Sequence, residues 1–172
     1  MIRHFARRLA LVLVCANVLA ACSDTARTST GPLMTTSDSY CSLDGMSLAD
    51  YPGPKAQIHY AQGEPELFCD TVEMFSTYLQ TVQQKSIVAV YVNDMAHNDW
   101  DHPDGQWIDA RTAFYVAGSK RRGSMGPTLA SFSQQADAAA FASKEGGEVL
   151  AFDQVTPDRV TLDGGVLKDR AM

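Results

Sequence analysis

Asp70-Thr71-Val72-Glu73-Met74-Phe75-Ser76-Thr77-Tyr78-Leu79-Gln80-Thr81-Val82, followed after a short polar break by Ser86-Ile87-Val88-Ala89-Val90-Tyr91-Val92, decides the fold class. Val72, Phe75, Leu79 and Val82 recur at helical spacing and define one buried face. Asp70 is a good N-cap, with Glu73 three residues later as the usual companion at a helix start. Ser86–Val92 is rich in β-branched residues and is the clearest strand in the chain. Upstream, Ala56–Tyr60 and Glu66–Cys69 read as two short strands around a Gly63-Glu64-Pro65 turn. The order is strand, strand, helix, strand.

The same order recurs downstream. Trp107–Val116 reads as a strand, Gly118 to Gly123 as a basic turn, and Ser124–Leu129 as a short second strand or loop. Ser133 is the expected cap of an Ala-rich helix through Lys144, stopped by Gly146-Gly147, and Val149–Phe152 is the last strand. A shift that lays Tyr60 on Tyr115 and Gly63 on Gly118 also lays Cys69-Asp70 on Ser124-Met125. The expected fold is therefore α+β, two small repeated ββαβ units, with halves at about 40–95 and 105–155 of a domain spanning 40–155.

Residues 1–21 read as an export signal. Arg3, Arg7 and Arg8 form a positive n-region, and Leu9 to Ala21 is an uncharged run too short to be a comfortable membrane span. It ends in Leu19-Ala20-Ala21-Cys22, which resembles the lipobox of bacterial lipoproteins, so Cys22 is the expected lipidation site. Several acyl chains on one residue anchor stably where a single chain does not. Ser23 stands where an inner-membrane retention signal has Asp, which favours the outer membrane, with the folded part facing the periplasm. Residues 22–39, rich in Ser, Thr, Asp and Gly, read as a flexible tether, and 156–172 as a loosely attached tail.

With 14 Lys+Arg against 20 Asp+Glu among 172 residues, the net charge is −6, and export removes three more arginines. No basic stripe exists to displace phosphate counterions, so nucleic acid is excluded as a partner. The chain has no phosphate-binding Gly-rich loop, no Gly-x-Ser-x-Gly elbow, no His-Glu-x-x-His helix and no Cys-x-x-Cys. An enzyme is not expected.

What remains is sulfur. Cys15 leaves with the signal and Cys22 is acylated, so Cys41 and Cys69 are the two remaining thiols. One reading pairs them as a disulfide in a structural or adaptor lipoprotein that binds no metal; such a bridge closes a loop worth about 3 kcal/mol. The other starts from Cys41-Ser42-Leu43-Asp44-Gly45-Met46, a turn that can fold a thiol and a thioether toward one point. Gly123-Ser124-Met125-Gly126-Pro127 puts another Met on a glycine-flanked turn, away from any helix face where Met is core filler. A thiolate with thioethers suits Cu(I) better than Zn(II), Ca(II) or Mg(II).

At these residues the chain resembles the NosL family, copper-binding lipoproteins associated with assembly of nitrous-oxide reductase. The resemblance rests on Cys41–Met46, Phe68-Cys69-Asp70, Trp107-Ile108-Asp109-Ala110, Phe114-Tyr115-Val116 and the Gly118…Gly123-Ser124-Met125-Gly126 turn, across about residues 40–152. Ser124 departs from the Gly-Pro-Met-Gly form more usual in the family turn. The resemblance implies a periplasmic chaperone that holds Cu(I) and passes it toward the copper-sulfide centre of the reductase. It implies Cys41, Met46 and Met125 as the cuprous ligands, and it agrees with the repeated ββαβ reading.

Other donors have plainer accounts beside the functional one. Cys69 is either a further ligand or a small buried hydrophobe at a strand end. His59 lies within an alternating strand, where a packed imidazole is the simpler reading, and Asp44 is a turn carboxylate that a harder metal could also use. Met95-Ala96-His97-Asn98-Asp99-Trp100-Asp101-His102 carries enough His and Asp for a divalent ion such as zinc, through His97 and His102, or is a solvated linker. Lys120-Arg121-Arg122 is the one basic run, a hairpin tip able to meet an acidic partner or lipid head groups.

Overall fold

The computed structural model describes residues 31–80 and 85–160. The signal segment, Cys22, Val82 and the chain after Val160 lie outside the described residues. The fold is α+β. In chain order the elements are β1 (Ala56–Tyr60), β2 (Glu66–Phe68), α1 (Thr71–Tyr78), β3 (Ile87–Asn93), β4 (Trp107–Asp109), β5 (Phe114–Ala117), β6 (Arg122–Gly123), β7 (Gly126–Pro127), β8 (Ala130–Phe132), α2 (Gln135–Glu145) and β9 (Glu148–Ala151).

Two antiparallel sheets carry the domain, one ordered β2-β1-β3-β4 and the other β8-β5-β9; β6 and β7 form a separate hairpin. Burial on both faces explains why β1 is buried at every position. Alternation sends Ala56, Ile58 and Tyr60 into the main core, and Gln57 and His59 to the opposite face. The main core is shared between the sheets: Phe75 of α1 meets Tyr115 of β5 edge-to-face at 5.0 Å, and Tyr115 donates its hydroxyl to Ala110 O at 2.7 Å. A smaller cluster of Met95, Val116, Ala130, Phe132 and Ala138 lies beneath α2.

The first half follows the sequence pattern, with Asp70 capping α1 by accepting from Val72 N at 2.9 Å. The second half departs from it. The expected strand Trp107–Val116 is broken: β4 extends the first sheet alongside β3, and only β5 enters the second. The carboxylate of Asp109 accepts from Arg111 N at 2.8 Å and starts a 3-10 turn over Ala110–Thr112, which carries the chain from one sheet to the other. Segment 124–129 is not a strand of the sheet; Gly123–Gly126 close the β6–β7 hairpin, and the second strand is β8. Helix α2 starts one residue later than expected, with Gln134 at its N-cap.

Register corrects the expected offset too. Ala56 sits between Phe68 and Val92, and Phe114 between Phe132 and Ala151. Laying one sheet on the other by these pairings puts Cys69-Asp70 against Ser133-Gln134, whereas the expected offset puts it against Ser124-Met125. At the ends, packing extends further than composition suggests. Leu33 brackets the Gln57 amide with two hydrogen bonds of 2.8 Å, so the attached chain begins well before residue 40. Val155 and Val160 join the main core, and Arg159 pairs with Glu148 at 2.7 Å, so the chain stays packed through residue 160.

Candidate metal centre

The site begins with a closed turn. Cys41 N donates to Met46 O at 2.8 Å, Gly45 N to Cys41 O at 2.9 Å, and Met46 N to the Asp44 carboxylate at 3.0 Å. Gly45 at φ +77° supplies the left-handed residue this reversal needs. Ser42 N donates to Leu67 O at 2.7 Å and Leu67 N to Ser42 Oγ at 3.0 Å, stitching the turn to the edge strand β2. Two residues beyond Leu67 the chain reaches Cys69. Cys41, Leu48 and Cys69 form a buried cluster, with Met46 and Leu67 packed against it.

Helix α1 adds the group that sequence reading had placed only as a capping residue. Glu73 lies one helical turn beyond Cys69 and is fully buried. Its Oε2 lies within hydrogen-bond distance of both sulfurs, 3.3 Å from Cys41 Sγ and 3.4 Å from Cys69 Sγ. Donor atoms of Cys41, Asp44, Cys69 and Glu73 all lie within 4.8 Å of one another. The usable signal for Glu73 was its i+4 spacing from Cys69 on a helix whose start was already read. Both thiols are free, so the disulfide reading does not describe this state.

Burial and mutual contact shape the electrostatics. The Cys69 thiol hydrogen-bonds to the Cys41 sulfur and, against the opposing effect of burial, holds the Cys41 thiol down at about 6. Leu43 N, 3.4 Å from that sulfur, adds to the effect. Cys69, as the donor and itself buried, is pushed up. Burial, then the charge on Cys41, raises Glu73 to about 7. Of the two thiols, Cys41 is therefore the one that ionises first, and Cys69 is the one that keeps its proton longer. Beside it, the Lys55 ammonium is buried and donates to Tyr51 O at 2.7 Å, Cys69 O at 3.2 Å and Pro52 O at 3.3 Å.

The β6–β7 hairpin closes the other side. Asp70 is fully buried; its Oδ1 accepts from the Thr128 hydroxyl at 2.7 Å, and the Thr71 hydroxyl donates to Leu129 O at 2.8 Å. Gly123 packs so closely on Asp70 that a Cβ there would overlap the carboxylate. This clasp buries the Ser124 hydroxyl without a hydrogen-bond partner, close enough to Cys69 to favour its thiolate. Met125 follows at the hairpin tip, half-buried.

The remaining sequence candidates lie elsewhere. His59 is fully buried on the far face of β1, with Nε2 3.0 Å from Gln57 Oε1 and its ring edge-on to Tyr91. His97 and His102 are exposed, and His102 Nδ1 is 3.7 Å from Asp99 Oδ1. Among the described residues, segment 95–102 brings no three donor groups together as the Cys41 turn and α1 do.

The sequence model of the NosL family matches residues 32–160. The chain belongs to the NosL family. It is 43% identical over 157 residues to the copper-binding lipoprotein NosL of Achromobacter cycloclastes, covering 87% of this chain and 81% of that one. It is 41% identical over 116 residues to the copper-binding lipoprotein NosL of Stutzerimonas stutzeri, covering 67% of this chain and 60% of that relative's length. The crystal structure of the copper chaperone NosL from Shewanella denitrificans superposes with a TM-score of 0.72 at 34% identity, covering 75% of this chain and 98% of that one. The family match reaches past both ends of the expected 40–155 domain, in line with the packing of Leu33 and Val160.

Proposed function

We propose that this chain is a Cu(I) chaperone, lipid-anchored through Cys22 and facing the periplasm from the outer membrane, that supplies the copper-sulfide centre of nitrous-oxide reductase through its assembly machinery. The observation that carries the reading is the meeting of the Cys41 turn with Cys69 and Glu73 in a member of this family. Copper is the cargo, and the chain is not an enzyme. Cys41 provides the anionic sulfur; Met46, packed on the same cluster, and Met125, on the hairpin beside it, provide thioethers that select the soft cuprous ion. Cys69 is the neighbouring thiol that holds the Cys41 charge in place. Glu73, within hydrogen-bond distance of both sulfurs, holds them in position as copper enters. Release proceeds by ligand exchange, a partner's sulfur or imidazole displacing a thioether while Cys41 stays bound.

The two sheets are read as a duplicated ββαβ unit, since each places its first strand between its second and last. No second, zinc-type site is proposed at His97 and His102. Cuprous affinity by chelator competition tests the assignment, with circular dichroism as the folding control. Cys41→Ser is expected to lose about 100-fold or more in affinity, roughly 3 kcal/mol. A folded Cys41→Ser protein with undiminished affinity overturns it. X-ray absorption of the copper-loaded chain is expected to count sulfur as the dominant scatterer.

A further inference from the structure

Three consecutive cations, Lys120, Arg121 and Arg122, run into the hairpin that packs on Asp70, the residue after Cys69. Among the described residues the ion pairs join Lys85 to Glu66, His102 to Asp99, Lys144 to Glu145 and Arg159 to Glu148, and none involves Lys120, Arg121 or Arg122. The three residues lead directly into Gly123-Ser124-Met125, the hairpin tip whose Gly123 packs against the carboxylate of Asp70, the residue after Cys69.

The segment is also held rigid. The Arg121 guanidinium lies 4.7 Å from the centre of the Trp100 ring, which stacks on Phe141 at 5.6 Å and 17°. Trp100 Nε1 donates to Arg122 O at 3.0 Å, and Lys120 N donates to Glu145 O at 2.9 Å. Gly53 seats the hairpin from behind, its Cβ position only 2.9 Å from Gly123 Cα. The backbone order that a docking surface needs is therefore already in place before any partner arrives.

The Cys41 turn exposes apolar side chains beside Ser42 and Asp44. Of the five large hydrophobic side chains exposed among the described residues, Tyr40 (55% exposed) and Leu43 (48%) flank Cys41. An apolar spot edged by charge is the make-up of a protein-binding patch.

We propose that Lys120, Arg121 and Arg122 of the hairpin, together with Tyr40 and Leu43 of the Cys41 turn, form the docking face for a protein partner presenting a carboxylate-rich rim around an apolar centre. This rests on the copper-chaperone reading. Exchange of a metal requires ligands of donor and recipient in one coordination sphere, so exposed residues on the turn and hairpin that carry Cys41 and Met125 must meet the partner. A lipid head group at the same arginines would lay Met125 against the membrane and keep that partner away.

The test compares the full chain in lipid nanodiscs with Lys120→Gln/Arg122→Gln, which leaves the Arg121–Trp100 stack intact, and with Arg111→Gln/Lys144→Gln as a charge-matched control. Cu(I) transfer to apo nitrous-oxide reductase is followed at low and high salt, alongside competition with the neutral chelator neocuproine. The hairpin variant is expected to transfer about 10-fold more slowly at low salt, with the difference closing at high salt, while its neocuproine competition and the control variant match the parent. Equal transfer rates overturn the proposal. So does a variant that loses only its affinity for phosphatidylglycerol vesicles, which makes the hairpin a membrane contact. If no form holds copper against neocuproine, the chaperone reading fails. Sedimentation of the metal-free chains with the reductase then decides docking: loss of binding in the hairpin variant alone supports it, and no binding by the parent overturns it.

Discussion

Asp70 is the most informative residue to perturb, because it holds the hairpin and is strained electrostatically in doing so. Its carboxylate is fully buried; Oδ1 serves Val72 N and the Thr128 hydroxyl, while Oδ2 has no partner. Burial dominates and raises the group from 3.8 to about 6, even though both hydrogen bonds and Lys55 pull it down. A folded value above the unfolded one means that the native state binds the proton more tightly. Asp70 therefore favours folding when protonated, and its ionisation above about pH 6 costs stability in full. A shift of that size corresponds to roughly 3 kcal/mol. Asp70→Asn keeps a good helix cap and an acceptor for Thr128 but removes the buried charge. Urea unfolding is expected to show the variant about 1–3 kcal/mol more stable at pH 7.5, with little difference at pH 4. A variant that is destabilised at pH 7.5, or whose gain over the parent is the same at both pH values, refutes the reasoning.

Two further outcomes follow from the same geometry. The Cys41 thiolate absorbance at 240 nm is expected to titrate near 6 in the parent and well above it in Cys69→Ala, because the Cys69 thiol is the largest influence holding Cys41 down. The stability that this depressed group contributes is complete above pH 9 and lost as pH falls through about 6, opposite in sign to that of Asp70. Gly123→Ala drives a methyl into the Asp70 carboxylate and to 2.9 Å from Thr128 Cβ; it is expected to cost about 1–3 kcal/mol in urea unfolding and to weaken cuprous binding by displacing Met125.

Much of the site was legible where the chemistry is local. The Cys41–Met46 turn closes through bonds among its own residues, with Asp44 and Gly45 in the roles their types favour, so residue identity was enough to place a thiol beside a thioether. The cap at Asp70 was readable for the same reason. Glu73 was not read as part of the site, because its role depends on which residues face the first turn of α1, and Cys41 arrives there from 32 positions away. Ser124 was noted only as a departure from the usual turn. Its burial beside the site follows from Thr128 and Gly123 docking on Asp70, a long-range clasp that leaves no periodic trace.

What the chain alone determined is the set of short-range choices: the ββαβ order of the first half, the capped helix, the tight sulfur-bearing turn and the acidic balance broken by a basic run. These follow from backbone sterics, side-chain period and local hydrogen bonding, which act over a few residues. What only the tertiary structure decided is where those pieces meet. The switch of Trp107–Ala117 between two sheets, the burial of Val160, and the convergence of Cys41, Cys69 and Glu73 depend on which surfaces exclude water together. Hydrophobic burial is non-directional and does not care how far apart in the chain its partners lie.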